Sequence, residues 1–84
     1  MIKYFDGAWE ATSADIQALP NFAIVCECFC EEVTDNERRL GRPLTAEELA
    51  EEARFHADSC DASELLDLIA DELVDLWKHD REAA

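Results

Sequence analysis

Cationic side chains are scarce in this chain. Lys and Arg number 7 against 21 Asp and Glu, a formal net charge of −14 in 84 residues. A protein that grips nucleic acid needs a basic footprint, so direct nucleic-acid binding is excluded. Anionic membrane surfaces would repel the chain for the same reason, and no apolar run approaches the roughly 20 residues of a membrane span. Glycine is also short: two residues cannot build a loop that cradles phosphate. The opening stretch Met-Ile-Lys-Tyr-Phe-Asp lacks the apolar segment of a secretory signal, so the expected location is cytoplasmic.

Four cysteines in a short chain invite a disulfide reading, but their spacing opposes it. Cys26, Cys28 and Cys30 crowd together and only Cys60 lies elsewhere. In a reducing compartment they are read as free thiols. Zinc sites pair cysteines on a turn with a second pair on another element, a pattern absent here. On a helix, Cys26 and Cys30 fit a core better than a chelate, so no metal or other cofactor is expected. The thiols sit among Glu27, Glu31 and Glu32, which oppose the thiolate a nucleophile requires. With so many carboxylates, no pair stands out as a general acid and base. The chain is expected to bind and not to catalyse.

What is present is helical patterning on a core-forming share of apolar residues, 49%. A single domain over residues 1–84 is expected. Asp6-Gly7, flanked by aromatic and alternating residues, predicts a two-residue hairpin within residues 1–12 that pairs Tyr4 with Trp9 and Lys3 with Glu10. An irregular arm is the rival reading. Thr12-Ser13 caps a short helix that stops before Pro20. A longer helix runs from about Asn21 to Leu40, with Phe22, Cys26, Phe29, Val33 and Leu40 on one stripe and Gly41 as its stop. A strand over FAIVCECF is disfavoured by length and clean termini. Thr45 and Glu48 form a capping box behind Leu44, opening a third helix to about Ala57 with Leu49, Ala53 and His56 on one face. Asp61 is placed as the cap of a last helix running to about His79. Its stripe is Leu65, Leu66, Ile69, Leu73, Leu76 and Trp77, and residues 81–84 are expected to fray. The fold class is mainly α: a small antiparallel bundle of three to four helices over residues 13–80, with short connections.

The remaining signal is charge. Glu64, Asp67, Asp71 and Asp75 occupy one sector of the last helix, opposite its leucine stripe. Glu27, Glu31 and Asp35 repeat at four-residue intervals on the second. Glu47, Glu48, Glu51 and Glu52 cover the solvent side of the third. Like charges at this spacing destabilise a helix by about 0.2–0.5 kcal/mol per pair and should raise one another's pKa values. An ordinary solvated face mixes both signs. Carboxylates about 5–6 Å apart along a helix make a ladder of negative charge comparable in kind to a phosphate backbone. These residues are therefore the candidate contacts for a basic protein surface, approached with salt-sensitive steering.

In size and acidity across its whole length, the chain resembles phage-encoded inhibitors that act as DNA mimics, several anti-CRISPR proteins among them. The resemblance carries no motif and no residue-by-residue correspondence. It implies a partner that is a host defence protein with a Lys- and Arg-lined nucleic-acid groove, met in the host cytoplasm. The alternative is a helical interaction module or antitoxin-like adaptor, with a homodimer among its forms. Apolar residues off the main stripes, Leu68, Val74, Ile24, Cys28 and Phe55, either widen the core or form the interface of that module.

Overall fold

The computed structural model describes the backbone of residues 2–83 and the side chains of residues 2–80. Strands β1 (Lys3–Phe5) and β2 (Ala8–Glu10) form an antiparallel ribbon. The register is Lys3 to Glu10, Tyr4 to Trp9 and Phe5 to Ala8, as the Asp-Gly signal predicts. Asp6 and Gly7 both take positive φ, 52° and 84°, which a right-twisted hairpin favours and glycine adopts without steric cost. The Tyr4 and Trp9 rings meet edge to face at 5.3 Å. Two strands alone are marginal in water, so such a ribbon must pack on something. Every strand residue is exposed, and the flanking Ile2 and Ala11 make the contact with the core.

Four α-helices follow: α1 (Ser13–Gln17), α2 (Phe22–Leu40), α3 (Ala46–Ala57) and α4 (Leu66–Ala83). Thr12 and Asp15 satisfy each other's backbone N–H at the start of α1, with Asp in the place Glu usually holds. Asn21 sits in the left-handed region and makes no side-chain cap bond. Gly41 ends α2 at φ 73° and donates its N–H to the Glu37 carbonyl at 2.8 Å. Thr45 and Glu48 form the expected box on α3.

The start of the last helix departs from expectation. Asp61 has φ 57° and closes a 3-10 turn over Asp58–Cys60. A second 3-10 turn, Ser63–Leu65, follows Ala62 without a side-chain cap. Asp tolerates the left-handed region because its short polar side chain can bond locally, and here that tolerance serves to end one helix, not to begin the next. The other end also differs, since α4 continues to Ala83, past the expected end at His79. The side chains at 81–83 and all of residue 84, which belong to the expected frayed tail, lie outside the described residues.

The core forms where α2, α3 and α4 converge. Phe29, Val33, Ile69 and Leu73 are fully enclosed. The Phe29 ring lies 5.9 Å from that of His56 and 6.5 Å from that of Trp77, both edge to face, so one side chain joins three helices. Asn36 donates to Glu52 and Phe29 meets His56, which sets α2 and α3 antiparallel. The buried face of α2 is Phe22, Val25, Phe29 and Val33. Cys26 is half-buried and Leu40 is exposed, so the stripe turns from the expected one toward Val25. Ile16 anchors α1 beneath the bundle. Glu72, within the leucine stripe of α4, is buried and accepts from Ser13 Oγ and Gln17 Nε2, each at 2.9 Å.

Candidate functional site

The four cysteines are free thiols. Burial pushes the Cys30 thiol up to about 11 and raises those of Cys26 and Cys60. A nucleophilic cysteine needs the opposite shift. Among the described residues, no group of three His, Cys, Asp or Glu side chains is placed to hold a metal ion. His56 is half-buried between Phe29 and Phe55, whose rings lie 5.9 Å and 5.4 Å away. Its Nε2 is enclosed without a hydrogen-bond partner among the described residues. Its place beside Leu49 and Ala53 favours a satisfied, partly buried histidine over a ligand; the partial burial is present, and this nitrogen is left without a described partner.

The acidic side chains divide into two groups. Glu27, Glu31 and Asp35 on α2, Glu47 and Glu51 on α3, and Asp67, Asp71 and Asp75 on α4 are all exposed. Each rides the face its helical spacing assigns, away from Phe29, Leu49 or Leu73. Glu64 is exposed too, but it stands in the 3-10 turn ahead of α4, so the regular ladder on that helix is Asp67, Asp71 and Asp75.

Other acids are committed to the fold. The Arg42 guanidinium grips Glu48 with two bonds, 2.8 Å and 3.1 Å, while the Thr45 backbone N–H donates to the same carboxylate at 2.9 Å. The Arg42 bonds first, and the Thr45 bond after them, hold Glu48 down to about 2. The expectation that acids on these faces titrate high thus fails at Glu48, because a capping position also attracts a cation across the connector. Glu52 is half-buried and accepts from Asn36 Nδ2 at 3.4 Å.

Among the described residues, an ion pair reaches the α4 ladder from α3. Arg54 Nη2 stands 3.1 Å from Asp67 Oδ1, and both side chains remain mostly in solvent. Periodicity alone leaves Lys78 as the sole basic neighbour of that sector. Arg54 is invisible to that reasoning because it arrives from α3. Among the described residues, none of the other exposed acids of α2, α3 and α4 forms an ion pair.

The apolar residues off the stripes also separate. Leu68 and Val74 are half-buried and pack against the core, so they widen it. Ile24 is 64% exposed and Phe55 74%, and Cys28 is exposed as well. No protein family, characterised protein or solved structure matches this chain. No helix among the described residues is long and apolar enough to cross a membrane.

Proposed function

We propose that this protein is an acidic, non-enzymatic binding protein that occupies a basic, nucleic-acid-binding surface of a partner protein. One observation carries the reading: exposed carboxylates run along α2, α3 and α4, and among those residues only Asp67 has a described ion pair. A fold that needs charge merely for solubility interleaves signs, because repeated like-charge pairs cost stability. A surface kept at one sign steers a partner of the other sign and excludes partners of its own. Burial raises the thiols of Cys26, Cys30 and Cys60, against the thiolate that nucleophilic catalysis needs, which supports binding over catalysis. In the form suggested by small acidic DNA mimics, the partner is a host defence protein and the outcome is inhibition. The second reading, an interaction module that docks through apolar surface, is favoured by the exposure of Ile24 and Phe55.

The test is capture of a partner from host lysate with stepped salt elution, followed by displacement of labelled duplex from the captured protein. Steep loss of binding with salt and loss of the duplex are expected. Paired reversals then locate the contact: Asp71→Lys with Asp75→Lys, Glu47→Lys with Glu51→Lys, and Glu27→Lys with Glu31→Lys. At least one pair should cost about 3 kcal/mol, near 150-fold in Kd. If all three paired variants bind as tightly as the parent, or duplex and protein bind the partner together, nucleic-acid mimicry is wrong.

A further inference from the structure

The exposure of Phe55 has a local setting. Glu48, Glu51, Glu52 and Phe55 recur on one face of α3, and Asn36, Arg39 and Leu40 recur on the facing side of α2. With Leu44 they line an open groove of about 360 Å³. That volume lies at the low end of small-molecule pockets, about 300–1,000 Å³, but the groove is wide to solvent and suits a side chain presented by a surface. Its apolar part is Phe55, 74% exposed, Leu40, 41% exposed, and half-buried Leu44. Its polar part is largely tied up. Arg39 Nη2 donates to Asn36 Oδ1 at 3.0 Å, Asn36 donates to Glu52, and Glu48 is held by Arg42. Glu51 is left exposed beside Phe55, with Glu47 one turn away on α3.

We infer that this groove is the anchoring point of the contact, and that its occupant is a Lys- or Arg-bearing segment of a partner protein carrying one aliphatic side chain. The inference rests on the proposed basic-surface binding and narrows it to one place. Charge complementarity selects the occupant. A segment approaching a molecule of net charge −14 is favoured if cationic, and Glu51 would meet its charge in the groove. A second copy of this chain would bring acid against acid. Carboxylates alone give steering with little geometric preference, whereas an aromatic ring in an open groove supplies the desolvated centre around which interfaces concentrate their affinity.

The test uses two synthetic peptides of equal length and charge, one alternating lysine with leucine and one alternating lysine with alanine. Each is titrated into isotope-labelled protein at low salt. The leucine peptide should bind about tenfold tighter, with amide shifts centred on residues 40–44 and 48–55. Phe55→Ala should erase that preference while leaving the circular dichroism unchanged, since the ring is mostly in solvent. Glu51→Lys should weaken both peptides and keep the preference. Equal binding of both peptides, with shifts along Asp67, Asp71 and Asp75, would overturn the groove and leave basic-surface binding standing. Failure of both peptides to bind would overturn the groove and basic-surface binding together. Concentration-dependent dimerisation that Phe55→Ala abolishes would also overturn the inference, because a second copy would then be the occupant.

Discussion

Removing the Glu72 carboxylate should loosen α1 from the bundle. Glu72 is 9% exposed, and its two oxygens take Ser13 Oγ and Gln17 Nε2 at 2.9 Å each. Hydrogen bonds to a charged group contribute about 1.5–3 kcal/mol apiece. Two corrections reduce the sum. Ser13 and Gln17 are exposed, so water satisfies them once the carboxylate is gone. The desolvation that folding imposes on a buried anion is also removed, and that cost is large where no cation compensates it. Glu72→Ala should then destabilise the domain by about 1–2 kcal/mol. At roughly 4–8 °C per kcal/mol for a domain of this size, the midpoint falls by about 4–16 °C. Glu72→Gln keeps the shape: its oxygen can still accept from Gln17 and its amide N–H can donate to the Ser13 hydroxyl, so it loses only the charge on the acceptor and should fall between parent and Ala. Urea unfolding followed by circular dichroism gives the free energies, and hydrogen exchange gives their location. Amides of α1 should exchange faster than those of α2 and α3. An Ala variant within about 0.5 kcal/mol of the parent, or exchange accelerated equally in all helices, would refute the account.

Two further outcomes follow from titrating groups. Glu48 has a folded pKa below its ordinary value, so its contribution is fully present above the ordinary glutamate range, near 4.3, and disappears as pH falls toward about 2. Arg42→Ala should therefore melt below the parent at neutral pH, with the two converging as pH falls from about 4.3 toward 2. A gap that stays constant over that window would contradict the ion pair. Alkylation of the native protein at mildly alkaline pH should mark Cys28 first, because it is exposed, while burial raises the thiols of Cys26, Cys30 and Cys60. Mass mapping that finds Cys30 modified first would contradict the packing of α2.

Features legible in the sequence were those whose cause lies within a few residues. Asp6-Gly7 sets the ribbon register, Thr45 with Glu48 starts α3, and Gly41 stops α2, since each is a local backbone requirement. The exposed positions of Glu27, Glu51 and Asp71 follow from helical spacing alone. What escaped was decided by distant partners. Glu72 shares a helix with Asp71 and Asp75, and periodicity places it inward, but only α1, more than fifty residues earlier, supplies the donors that let it stay there. Arg54 reaches Asp67 across two helices. Glu48 looked like one more member of an acidic face until Arg42 folded back onto it. Asp61 failed for a subtler reason. Its residue type suits both the start of a helix and a left-handed turn, and the 3-10 turn before it decided between them.

The exposed ribbon makes the molecule its own optical reporter. One of its two tryptophans, Trp9, sits on the ribbon against Tyr4, and the other, Trp77, sits on α4 against Phe29. Opening the ribbon exposes little apolar surface, whereas opening the bundle exposes the whole core, so the two events draw on different free energies. Emission recorded during heating is therefore a sum of two signals, and its midpoint is not the stability of either part. Trp9→Phe leaves a clean readout of the bundle, and the difference between the two traces is the melting of the ribbon alone.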